Sequence, residues 1–238
     1  MSVSYGNCRL IFDVVRFYLG TVLFLYITLP LMAVWVLVGV VLDPPATLVP
    51  GISVHVYINI MIMAVGGFRT LFPIAIGMGS TRVQFLKSHY LTGIAAVFTT
   101  ILLLNVCQYL LMVAYDRLVG FSNILHPAVL FVDGYHFLSY FAIDLAVGIF
   151  LFGTTFFAYC VWYRLGTAHS AIALMALALP ILFLYYGGTL DACFSWLGQL
   201  ASNPTALFAF VGSLGLTTLW ITYPLMRNAP LQPKPAKG

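Results

Sequence analysis

Long stretches of this chain carry no Lys, Arg, Asp or Glu, and those gaps constrain the fold more than any other feature. Between Arg16 and Asp43 lie 26 such residues, between Asp43 and Arg69 25, and between Lys87 and Asp116 28. Further on, 19 separate Asp144 from Arg164, 26 separate Arg164 from Asp191, and 35 separate Asp191 from Arg227. A bilayer core of roughly 30 Å is crossed by about 20 apolar helical residues, so each interval is long enough for a span. The expected fold is all-α and polytopic, a single domain of six transmembrane helices over about 17–42, 53–77, 88–115, 137–163, 169–186 and 205–226. A short tail, 227–238, follows the last span.

Composition agrees and excludes other classes. Of the 238 residues 62% are hydrophobic and 7% charged, with mean hydropathy +1.04, outside the range of a soluble domain. Apolar stretches keep recurring, which excludes a signal peptide ahead of a soluble domain. No polar segment is long enough to bury a core of its own. Cys8, Cys107, Cys160 and Cys193 have no paired spacing and point to neither a disulfide framework nor a metal knuckle.

The basic residues set the expected orientation. With the N-terminus inside, cytoplasmic segments hold Arg9, Arg16, Arg69, Arg82, Lys87, Arg164, Arg227, Lys234 and Lys237, and the outer loops keep only Arg117. Both termini are therefore expected in the cytoplasm of a multi-pass cell-membrane protein. Span one should end at Asp43, Pro44 and Pro45, where missing amides stop a helix. Ahead of it, over about 8–17, Leu10, Ile11, Val14, Phe17 and Tyr18 recur at helical spacing, with Arg9, Asp13 and Arg16 on another face. That is the pattern of an interfacial amphipathic helix, and equally of a charged flank anchoring the first span.

Few residues carry chemistry. Asp144 falls well inside span four, near mid-membrane, where a carboxylate implies a functional site, a polar cavity or a buried partner. Asn105 and Gln108 in span three and Asn59 in span two read as interhelical hydrogen-bonding residues, with Asn105 and Gln108 joining Asp144 as candidates for a translocation path. The five histidines show no metal-ligand spacing, and His126 and His136 are expected in a solvated outer loop. There is no Glu, no acid and base pair and no nucleophile triad, so no enzymatic activity or bound cofactor is expected of this chain.

The connection between spans two and three reads LFPIAIGMGSTRVQFLKSHYLTG from Leu71 to Gly93, with Pro73, Gly77 and Gly79 interrupting helical continuity. By itself it is a turn with basic residues or a short interfacial helix. The string resembles the pattern of small bacterial ABC-2-type transporter permeases, in which a Phe-Pro segment leads to Gly, then Arg, then an aromatic residue before span three. The YRLG run from Tyr163 to Gly166 ahead of span five is similar too. The resemblance implies a short coupling helix between spans two and three, carried by Gly79, Arg82, Phe85 and Lys87, with Phe85 as the aromatic anchor in a groove of a cytoplasmic ABC ATPase. It implies a second permease subunit, identical or related, and ATP with Mg on the ATPase, because this chain has no phosphate-binding GxxxxGK[ST] string. The activity implied is export of a hydrophobic or amphipathic compound such as a peptide, lipid or antibiotic. The alternatives are a non-transporting membrane partner protein, acting as a sensor, assembly factor or immunity protein, and a proton-coupled carrier resting on Asp144.

Overall fold

The computed structural model describes residues 3–42, 51–118, 126–131 and 135–230. The Asp43-Pro44-Pro45 stop and the last residues of the tail lie outside these. Among the described residues the fold is helical, with no strand: α1 (Val3–Arg16), a π-helical stretch (Phe17–Thr28), α2 (Leu29–Leu42), α3 (Ser53–Gly77), α4 (Arg82–Leu118), a 3-10 turn (Pro127–Leu130), α5 (Phe137–Leu165), α6 (Thr167–Tyr186), α7 (Asp191–Ala201) and α8 (Pro204–Met226). Among the described residues six helices are long and apolar enough to cross a membrane.

Two boundaries depart from expectation. The helix that holds the segment over 8–17 begins earlier, at Val3, and runs through the π-helical stretch into α2 without a break, so the first helix is far longer than the expected span. The wider turns are marked by the Leu29 amide, which donates to the Phe24 carbonyl five residues back, and by the Thr28 hydroxyl, which donates to the Leu23 carbonyl at 2.9 Å. The connection between α6 and α8, expected as a loop, contains α7.

The core lies between α3, α4 and α5. Phe68 stacks on Phe72 at 4.7 Å between ring centroids and meets Phe85, His89, Phe156, Tyr159 and Tyr163 edge-on. Edge-to-face pairs of this kind suit the ring quadrupoles and hold well where lipid supplies no hydrophobic driving force. Helix α8 closes on α5 at two glycines. A Cβ on Gly153 would stand 2.1 Å from the Gly215 carbonyl oxygen, and one on Gly215 would stand 2.6 Å from that of Ile149. Helices α6 and α7 bury no residue and stay peripheral.

Contacts fix the ends of the bundle relative to one another. Asn7 Nδ2 of α1 donates to Ser80 Oγ in the α3–α4 turn at 2.6 Å. Tyr163 at the end of α5 donates to the Pro230 carbonyl at 3.0 Å, and Arg164 donates to that of Leu225. The start of the chain, the α3–α4 turn, the α5–α6 turn and the end of α8 therefore share one end.

Candidate functional site

Two places bear on function, one at each end of the bundle. At the end opposite the chain's start, Asp144 is wholly buried and its carboxylate draws donors from three separate segments. Tyr57 of α3 donates to Oδ1, His126 Nε2 reaches the same oxygen at 2.7 Å, and Asn105 Nδ2 of α4 donates to Oδ2 at 3.1 Å. A lone carboxylate in so apolar a setting costs several kcal/mol, and charge-assisted hydrogen bonds at about 1.5–3 kcal/mol each offset it.

The protons in this network follow from the backbone. The Ala128 amide donates to His126 Nδ1 at 3.0 Å, so Nδ1 carries a lone pair and the proton sits on Nε2, facing Asp144. His126 is thus both the N-cap of the 3-10 turn and the clasp that ties the turn to α5. The amide of Asn105 is oriented the same way, since Nδ2 also donates to the Ile101 carbonyl at 3.1 Å. Tyr135 donates to the Asn105 carbonyl at 3.4 Å. Burial first, and then the charge of Asp144, push its phenol up to about 12, so it keeps its proton. One turn along α4, Gln108 Nε2 donates to Ser53 Oγ at 2.9 Å. Asn105 Oδ1 and Gln108 Oε1 are buried with no hydrogen-bond partner among the described residues.

The structure therefore joins Asp144 to Asn105 directly and places Gln108 one turn away. Asp144 is seven residues from the start of α5, about 10 Å along the axis, and so nearer that end than mid-membrane. His126 is buried against it and is not a solvated loop residue. Sequence reasoning missed Tyr57 and His126, which lie 87 and 18 residues from Asp144. The usable signal was chemical: a buried carboxylate needs donors, and His126 precedes a proline that starts a helical turn.

At the opposite end lies the α3–α4 turn. Gly79 has φ 89°, a left-handed conformation that glycine adopts freely, and it ends α3. No separate coupling helix follows, because α4 begins at Arg82. Its start is fixed by a capping box: the Gln84 amide donates to Thr81 Oγ1 and the Thr81 amide to Gln84 Oε1, each at 3.2 Å. With α4 in this register, Phe85 points inward. It is 0% exposed among Phe68, Phe72 and His89, which corrects its expected place as a surface anchor. Gly79, Thr81, Gln84 and Lys87 are exposed, and Arg82 is half-buried. Comparison of the chain with family models, curated proteins and solved structures finds no match.

Proposed function

We propose that this protein is the membrane-spanning permease subunit of an ABC-2-type transporter, working with a separate cytoplasmic ATPase and a second permease subunit. The observation that carries this reading is the α3–α4 turn. The string bearing the resemblance folds into a tight hairpin whose exposed tip, Gly79, Thr81, Gln84 and Lys87, is backed by the buried Phe85 and Leu86. A partner pressing on that tip moves the aromatic core, because Phe85 contacts Phe68 and Phe72 of α3 and stacks at 6.2 Å on His89, which meets Phe156 of α5. Coupling is then a push on a rigid hairpin, and Phe85 transmits it from inside while Arg82 and Lys87 set charge complementarity at the surface.

At the far end, the Asp144, Asn105, His126 and Tyr57 network ties the outer turn to three helices, and we assign it to holding the outer side of the translocation path. The cargo this reading implies is hydrophobic or amphipathic, with ATP and Mg held by the ATPase. The test is copurification from the native membrane. Replacing Gln84→Glu and Lys87→Glu reverses the charge of the exposed tip without touching the core. The expected result is loss of the ATPase and of transport with the monomer fold intact. Retention of both, or an absence of any ATPase with the wild-type protein, overturns the reading in favour of a non-transporting membrane protein.

A further inference from the structure

Beside the hairpin tip, the chain forms an open depression of about 360 Å³ between Ile76, Ser80, Thr81, Arg82, Val83 and Arg227. Two arginines from segments 145 residues apart thus line one small space. Neither makes an ion pair or hydrogen bond among the described residues, whereas Arg164 at the same end donates to the Leu225 carbonyl. We propose that Arg82 and Arg227 frame a binding pocket for the phosphate group of an anionic membrane lipid.

The chemistry fits in three respects. Guanidinium forks match phosphate oxygens two at a time, and the exposed Thr81 hydroxyl, which accepts from the Gln84 amide, keeps its own proton to donate along the same wall. Ile76 and Val83 form the apolar remainder, and Ile74 and Met78 on the same end of α3 leave further apolar side chains exposed. A free phosphate needs no such apolar flank, and a lipid does. The field also favours an anion. Arg9, Arg16, Arg69, Arg82, Lys87, Arg164 and Arg227 lie on segments that lead to this end, and Asp13 is the one described acid there. A basic residue near an anionic leaflet is worth about a fivefold change in binding, so the pair together is worth about twenty-five-fold.

This inference does not rest on the permease reading, and its test contains no ATPase. The full-length protein is placed in nanodiscs of phosphatidylcholine alone or with phosphatidylglycerol, and bound lipid is counted by native mass spectrometry. The wild type should retain phosphatidylglycerol, with Arg227→Gln lowering retention about fivefold and Arg82→Gln with Arg227→Gln about twenty-five-fold. Arg16→Gln removes an equal charge at the same end, outside the pocket, and should change retention less than twofold. If Arg16→Gln matches Arg227→Gln, attraction is spread over the whole surface and there is no pocket. If inorganic phosphate raises the unfolding temperature in pure phosphatidylcholine and displaces phosphatidylglycerol, the site takes a free anion and the lipid assignment fails. Arg227 is exposed at the end of α8, so its single variant keeps the test decisive should the double variant unfold.

Discussion

At the scale of single residues, Asp144 ties α3, α4 and α5 together with the 3-10 turn at the end away from the chain's start. Its ionised form accepts every hydrogen bond offered to it, so Asp144→Asn does more than delete a charge. The new amide NH2 must face either His126 Nε2–H and Tyr57, or Asn105 Nδ2, donor against donor. The expected cost is about 3 kcal/mol, read as a lower unfolding temperature in detergent. His126→Ala should also destabilise, and the double variant should lose less than the sum, because both changes break one shared contact; a coupling of about 1–2 kcal/mol is expected. Additive effects would mean that His126 and Asp144 do not interact. The residue scale was also where sequence reasoning went furthest wrong. Phe85 reads as a surface aromatic beside Arg82 and Lys87 until the capping box sets the start of α4. From that start Phe85, His89, Thr92, Ala96 and Thr100 fall on one inward stripe. The Thr81 and Gln84 spacing was in the sequence all along, so the register was legible, whereas the partners of Asp144 required knowing which helices meet.

Among elements, the spans were legible because the charge-free gaps set them; four of the six expected intervals match their helices to within a few residues, whereas the first helix starts at Val3 and α4 at Arg82, well ahead of the expected 17 and 88. Less legible was how the helices pack, since apolar composition is nearly uniform around each one and lipid-facing and core-facing sides look alike. Two glycines mark where α5 and α8 meet. Gly153 and Gly215 let α5 and α8 meet at backbone distance, and either replacement by Ala would push backbone against backbone. Gly153→Ala should therefore cost about 1–3 kcal/mol and show as reduced monodispersity and a lower unfolding temperature. Gly66→Ala, where a Cβ meets nothing within 4 Å, serves as the matched helix-interior control and should be neutral or slightly stabilising. Equal losses at the two positions would refute the close α5–α8 contact. The π-helical stretch had no sequence signal, because its apolar residues suit either helical form.

The whole molecule is polarised. One end gathers the chain's start, the two short turns, the end of α8 and most of the basic residues, while the other carries the Asp144 network and α7. These contacts establish which segments share an end, and the positive-inside rule says which end meets the cytoplasm. Putting the basic end outside would place seven described Lys and Arg on the side that membrane insertion disfavours, leaving Arg117 alone on the favoured side. The orientation is decided by single cysteines in a background lacking Cys8, Cys107, Cys160 and Cys193. One replaces Asn228, just after α8, and the other replaces Thr189, between α6 and α7, and both positions are exposed. In intact cells a membrane-impermeant maleimide should label Cys at 189 and leave Cys at 228 unmodified until the membrane is opened. Labelling of both from outside would break the six-span arrangement, and labelling of 228 alone would invert it. The inverted result would also remove the α3–α4 tip from any cytoplasmic ATPase, so this one measurement bears on the fold, the orientation and the proposed coupling together.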